Sequence, residues 1–142
     1  ENSKSQTLTV FNSVFRANKA TSLSLFTATL VDTASLYEGN FFTVLRLAQQ
    51  SSATVSSRFL NNFSEAVAGV AYITSSSLTM RNCFQSGTIR ASVVAVYAEQ
   101  NSDLTVIDST FKDNNSVNAS VLELSYTNKV RLKNCIIQGN VS

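Results

Sequence analysis

LTVFNSVFRAN, the segment Leu8–Asn18, recurs twice without a gap, as LTVIDSTFKDN in Leu104–Asn114 and as VRLKNCIIQGN in Val130–Asn140. The shared pattern is apolar-x-apolar-x-[Asn/Asp]-[Ser/Cys]-x-[Phe/Ile]-x-x-Asn. Its second half, an aromatic or aliphatic residue followed three positions later by Asn or Gly, occurs six times at intervals of 22 to 27 residues, beginning at Phe15, Tyr37, Phe59, Phe84, Phe111 and Ile137. A period in the twenties along a whole chain predicts a solenoid in which each repeat forms one coil.

The other repeats align with small changes of length: Ala53–Asn62 and Leu78–Gly87 with one deletion, and Ala28–Asn40 with a two-residue insertion. Apolar alternation at the start of each repeat indicates a strand with one buried face. A second apolar run, rich in β-branched and aromatic residues, follows the motif in Leu23–Phe26, Phe42–Leu47, Val67–Ile73, Val93–Tyr97 and Val121–Leu124.

These patterns predict an all-β fold, a right-handed parallel β-helix of about six coils of 20–27 residues. Residues 1–142 are expected to form a single domain, which is a segment of a longer solenoid or the repeat unit of a fibre. The chain has no Pro and only 14% charged residues, as expected where nearly every main-chain N–H joins a ladder. A net charge of +2 is too small to suggest nucleic acid, and no apolar run of about 18 residues predicts a membrane span in this segment.

Aligned repeats place equivalent residues in columns. The corner after the first strand is predicted to carry a ladder of stacked polar side chains formed by Asn12, Asp32, Ser57, Asn82, Asp108 and Asn134. The next column is small and inward: Ser13, Thr33, Cys83, Ser109 and Cys135. Because Cys83 and Cys135 lie two coils apart, about 9–10 Å, they are too distant for a disulfide and are predicted to be free thiols.

Hydroxyl side chains are predicted to line the outer face of the first strand. One column is Thr9, Thr29, Thr54, Thr79, Thr105 and Arg131, and the position two earlier gives Thr7, Thr27, Ser52, Ser77, Asp103 and Lys129. Thr suits an exposed strand position, which is the plainest explanation. Two sharper hypotheses remain: the threonines are acceptors for O-linked sugars, or they form a surface-binding strip of the Thr-x-Thr kind that binds ice.

Four sequons make candidate N-glycosylation sites, at Asn62, Asn114, Asn118 and Asn140. Three of them use the last Asn of the repeat motif, which is expected to be an exposed corner. Glycosylation there would require a eukaryotic secretory origin.

Catalysis is not predicted. The chain has no His, and its nine acidic residues scatter over different columns instead of stacking on one strand face. A polysaccharide-cleaving β-helix needs an acid and a base fixed several ångströms apart. The sequence therefore predicts no enzyme, no catalytic residue, no cofactor and no metal site.

The recurring Phe-x-x-Asn, with small-residue strands such as Ala68–Tyr72 between copies, resembles the repeat of polymorphic outer-membrane proteins. The resemblance implies a β-helical passenger of a surface-exposed adhesin. Glu1 falls at the phase of Glu123 and Ser142 at that of Ser116, so the two ends of the coil are expected to be bare strand edges. The expected function is an extracellular or cell-surface structural solenoid, part of a fibre, filament or coat. Its partners would be itself, head to tail, or flanking repeats of the same chain, and glycans. The alternative is an adhesin passenger or a carbohydrate-binding rod.

Overall fold

The chain folds as an all-β solenoid of parallel strands with about five turns, which confirms the fold class predicted from the repeat. The computed structural model describes residues 6–64, 68–93, 95–119, 121–126 and 129–141. Within these ranges the strands, in chain order, are β1 (Gln6–Phe11), β2 (Val14–Arg16), β3 (Leu23–Phe26), β4 (Ala28–Glu38), β5 (Leu45–Ala48), β6 (Ser52–Leu60), β7 (Ala71–Thr74), β8 (Ser77–Arg81), β9 (Phe84–Ser86), β10 (Ile89–Val93), β11 (Val96–Glu99), β12 (Asp103–Ile107), β13 (Thr110–Lys112), β14 (Asn115–Ala119), β15 (Leu122–Ser125), β16 (Lys129–Lys133) and β17 (Ile136–Gln138). The right-handed sense of the coil and the count of about six coils stay predictions.

The described strands form three sheets of parallel strands around one core. The coil has four sides, and the largest sheet covers the first two of them. The first side of the coil stacks β1, β4, β6, β8, β12 and β16, and the second side stacks β2, the ends of β4 and β6, β9, β13 and β17. On the third side β10 pairs with β14. The fourth side stacks β3, β5, β7, β11 and β15, which confirms the second apolar run as strands. We number the coils 1 to 6 by their strand on the first side.

Inward residues of successive coils pack on one another along the axis. Phe15, Tyr37 and Phe59 stack with ring centroids 4.7 and 5.0 Å apart and interplanar angles of 6° and 9°. Phe111 continues their column and is fully buried. A buried column of Phe15, Phe59, Phe84, Phe111 and Ile137 is the prediction of the motif, and it is confirmed only in part. Gln85 takes the place of Phe84 between Phe59 and Phe111, and Ile137 is 51% exposed.

Coil 2 contains no insertion, so the sequence alignment of Ala28–Asn40 was wrong by two residues. Leu8 pairs with Leu30 and Gln6 with Ala28. Asp32 therefore points into the core between Val10 and Val55, and the corner position belongs to Ala34. The deletion predicted in coil 3 is confirmed, because two residues separate Val55 from Arg58 where coil 4 has three.

Coil 4 contains no deletion, so the motif Phe84-x-x-Gly87 was out of register by one residue. Gln85 pairs with both Phe59 and Phe111 and is fully buried, whereas Phe84 points outward. Phe84 lies between two cations on the surface, with the Arg58 guanidinium 5.8 Å and the Lys112 ammonium 5.6 Å from its ring centroid. An aromatic residue at this position gains cation–π contacts in place of burial.

Candidate functional site

The hydroxyl strip lies on the outer face of the first side. Its columns differ from the predicted ones because the predicted alignment of coil 2 was wrong by two residues. Thr9 neighbours Val31, which in turn neighbours Thr54, so Thr29 does not belong to this column. Thr79 and Thr105 continue it as predicted. Thr29 instead joins the column of Thr7 and Ser52, and its hydroxyl lies 3.2 Å from that of Ser52.

The polar ladder also lies in a different column from the predicted one. Asn40 Oδ1 accepts hydrogen bonds from the main-chain N–H and the Nδ2 of Asn18, at 3.1 and 2.9 Å. Asn62 Oδ1 accepts the same pair from Asn40, and Asn140 Oδ1 the same pair from Asn114. We call this inward column the Asn ladder: Asn18, Asn40, Asn62, Thr88, Asn114 and Asn140. The ladder is directional, because in coils 1, 2, 4 and 5 the main-chain N–H of its residue donates to the side-chain Oδ1 of the next coil.

Burial in the Asn ladder corrects the expectation that the sequon asparagines are exposed. Asn62 and Asn114 have relative exposures of 0% and 1%. A glycan is attached at Nδ2, and these two atoms donate to the Tyr37 carbonyl and to Asn140 Oδ1. Asn140 Nδ2 donates to the Phe111 carbonyl. The side chain of Asn118 lies outside the described part of the structure.

The predicted corner column is a set of left-handed residues on the surface. It contains Asn12, Ala34, Asn82, Asp108 and Asn134, with φ between 47° and 59°. Asp32 and Ser57 do not belong to it. Asn and Asp tolerate positive φ, which explains their recurrence here. Asn134 Nδ2 donates to Asp108 Oδ1 at 2.9 Å, a single link of the ladder expected at this corner.

Cys83 and Cys135 are free thiols in one inward column with Ser109 between them, as predicted. The same column holds Ser13, Ser35 and Ser57. Ser35 therefore takes the position predicted for Thr33, because the predicted alignment of coil 2 was wrong by two residues. Burial raises the pKa of the Cys83 thiol to about 11, which makes it a poor nucleophile at neutral pH.

A buried polar cluster was missed by the sequence reasoning, because the slip in coil 2 put Asp32 at the corner. Asp32 Oδ2 accepts hydrogen bonds from the Tyr37 and Ser57 hydroxyls, both at 2.9 Å. Asp32 Oδ1 is buried without a partner in the described structure. Burial, with the nearby carboxylate, raises the pKa of Tyr37 above its usual range. The cluster is enclosed by core side chains, so it has no access for a substrate.

Two tyrosines on the outer face of the fourth side share one carboxylate. The rings of Tyr72 and Tyr97 are 5.6 Å apart, and both hydroxyls donate to Glu99. Burial and the hydrogen bond to Glu99 together raise the pKa of Tyr72 to about 12. This brace links coils 3 and 4.

An apolar groove opens where the third side begins. Phe41, Phe42 and Phe63 line it with Lys19, around a volume of about 390 Å³. Phe41 and Phe42 are 44% and 42% exposed, and Arg90 lies 5.7 Å from the Phe63 ring centroid. Exposed aromatic residues gathered in one groove make it a candidate binding surface.

The coil ends expose positions that are core elsewhere. Leu30 and Leu104 are fully buried, whereas Leu8 in coil 1 is 44% exposed. In coil 6, Leu132 and Ile137 are 47% and 51% exposed. Among the described strands, β1 and β16 each pair on one edge only.

No three His, Cys, Asp or Glu side chains in the described ranges cluster closely enough to bind a metal ion. The part of the chain that the structure describes contains no helix long and apolar enough to cross a bilayer. Comparison with known proteins finds no matching family model, curated protein or solved structure. The resemblance to polymorphic outer-membrane protein repeats stays a prediction.

Proposed function

We propose that the chain is a non-enzymatic structural solenoid, a building block of an extracellular or cell-surface fibre, filament or coat. The observation that carries the proposal is the parallel pairing of strands from coil to coil along the axis, in which each coil packs on its neighbours. A further coil of the same kind, in this chain or in another copy, would pack in the same way.

The walls of the coil support a mechanical role. Main-chain ladders, the Asn ladder and the aromatic stack all run along the axis, so they link every coil to the next. Within the described residues, the acids and thiols form neither an accessible nucleophile nor a paired acid and base. The surface is instead rich in Ser and Thr, which suits a hydrated exterior.

Sedimentation and negative-stain electron microscopy of the purified chain test this function. The proposal expects rods that lengthen with concentration. Antibody labelling of intact source cells tests the location, and signal only after permeabilisation would contradict a surface role.

The alternative function is an adhesin passenger or carbohydrate-binding rod, and the apolar groove favours it. Aromatic rings beside Lys19 and Arg90 could bind the apolar face of a sugar and its hydroxyl or acidic groups. Phe41→Ala should then abolish retention on a glycan matrix, while Phe26→Ala, an equally exposed aromatic on another side, leaves it unchanged. Equal retention of both variants would contradict the alternative.

A further inference from the structure

Tyr72 and Tyr97 hold their phenol rings in a geometry that suits a bond between them. The two residues pair directly across the parallel strands β7 and β11, in neighbouring coils of the fourth side. Their ring centroids are 5.6 Å apart, with an interplanar angle of 26°. Both side chains are partly exposed on the outer face, so a small oxidant in solution can reach both rings.

Glu99 is placed to take the proton that either phenol releases on oxidation. The Tyr72 hydroxyl donates to Oε1 of Glu99, and the Tyr97 hydroxyl donates to Oε2. Loss of one electron makes a phenol strongly acidic, and a base within hydrogen-bond reach accepts its proton at once. Because one carboxylate holds both hydroxyls, it also brings the ring carbons beside these hydroxyls to neighbouring positions.

The other two of the four tyrosines lack this arrangement. Tyr37 is fully buried between the rings of Phe15 and Phe59. Tyr126 is 87% exposed, and its ring stacks on no other aromatic ring in the described residues. Oxidation within one chain is therefore expected to join one pair only.

We propose that Tyr72 and Tyr97 are a site of oxidative cross-linking, at which hydrogen peroxide, used by a haem peroxidase, joins the two rings as dityrosine. Each phenol gives up one electron and one proton, and the proton passes through Glu99 to water. The two phenoxyl radicals couple through the ring carbons beside their oxygens, forming one carbon–carbon bond. The hydrogen of each coupled carbon then moves to oxygen and restores the phenol. In sum the protein loses two hydrogen atoms, which reduce one peroxide to two molecules of water.

This bond would join coils 3 and 4 covalently on the fourth side. It closes the loop between Tyr72 and Tyr97, and closing a loop restricts the unfolded chain. The oxidised chain should therefore unfold at a higher urea concentration than the untreated chain. The inference does not depend on assembly into a fibre, because both tyrosines belong to one chain.

Treatment of the purified chain with a haem peroxidase and hydrogen peroxide tests the site. At low protein concentration the expected product is a monomer with the blue fluorescence of dityrosine and a mass lower by two hydrogen atoms. Trypsin leaves Tyr72 in peptide 59–81 and Tyr97 in peptide 91–112. Mass spectrometry of the denatured, digested product should find these two peptides linked.

Tyr126→Phe is the matched control, since it removes one tyrosine and keeps the pair. It should give the linked peptides at the wild-type yield, whereas Tyr72→Phe and Tyr97→Phe should give none, with folding checked by circular dichroism. The wild-type chain oxidised in urea, where the pair is no longer held together, should lose most of the linked product. A folded wild-type chain that gives no such link, or gives it equally in urea, would overturn the proposal.

Glu99→Gln tests the proton acceptor. The amide oxygen still accepts a hydrogen bond but takes no proton, so cross-linking should slow. Phosphate buffer, an external base, should restore the rate in this variant as its concentration rises, while the wild-type rate stays unchanged. A variant as fast as the wild type, or one that phosphate does not rescue, would overturn the role of Glu99.

Discussion

Asn62 shows how one side chain joins two coils. Its Oδ1 accepts two hydrogen bonds from Asn40, and its Nδ2 donates to the Tyr37 carbonyl. The Asn ladder adds hydrogen bonds between coils at the turn that follows the second side, where the strands of that side have ended. A buried amide that is fully paired stabilises, while removal of one partner leaves several groups unsatisfied.

Asn62→Ala should therefore lower the free energy of unfolding by about 2–4 kcal/mol, because it removes the acceptor of the Asn40 main-chain N–H and the donor to the Tyr37 carbonyl. The matched control is Asn82→Ala at the exposed corner. Coil 2 already has Ala34 there, so the cost should be about 1 kcal/mol or less. Urea denaturation measures both, and equal costs would contradict the role assigned to the ladder.

Phe111→Asp should cost several kcal/mol, on the order of 4, because it places an unpaired charge in a fully buried aromatic column. Ile137→Asp tests the same column one coil further on, where the side chain is 51% exposed. In the isolated chain its cost should be much smaller. A Phe111→Asp variant as stable as the wild type would show that the column is not core.

At the scale of the element, the sequence predicted strands well and their alignment less well. Alternation repeats every two residues, so a strand slipped by two keeps its apolar face. In coil 2 the slipped alignment placed Asp32 at a polar corner, whereas in the fold Tyr37 and Ser57 satisfy this acid in the core. Contacts between coils, which a single repeat cannot reveal, decided the register.

Coil 4 was misaligned for a related reason. Phe84 matched the aromatic position of the motif, and the neighbouring Gln85 looked like a surface residue. The fold buries Gln85, whose Nε2 donates to Thr88, and turns Phe84 toward two cations. The expectation that the sequon asparagines are exposed failed for a similar reason, because the last Asn of the repeat is a core residue in Asn62 and Asn114. The prediction that Cys83 and Cys135 are free thiols depended only on the spacing of the coils, and it was correct.

The tyrosine brace predicts how the fourth side responds to alkali. Tyr72 has a pKa of about 12 in the folded chain, above the value of about 10 for an unfolded tyrosine. The brace therefore contributes its full stability below about pH 10, and this is lost as the pH rises toward 12. Tyr37 and Tyr97 act in the same direction.

Tyr72→Phe should make the unfolding free energy less dependent on pH between about 10 and 12. Tyr126→Phe is the control, since that side chain is 87% exposed. Thermal unfolding followed across this range measures the effect. An identical pH dependence in both variants would contradict the brace.

At the scale of the whole molecule, the proposed fibre requires a coil of one copy to pack on a coil of another. Leu132→Lys should leave the isolated chain folded, since the side chain is 47% exposed, but would bury a charge in the junction. We expect it to stop growth of the rods. Arg131→Ala, on the outward side of the same strand, should assemble normally. Sedimentation compares the two, and rods of wild-type length from Leu132→Lys would contradict the stacked junction.

Electron cryomicroscopy of the assembled chain tests the central claim most directly. The account predicts a polar filament with strands spaced about 4.8 Å apart along the axis. Only monomers at every concentration, or copies joined with opposite polarity, would contradict it.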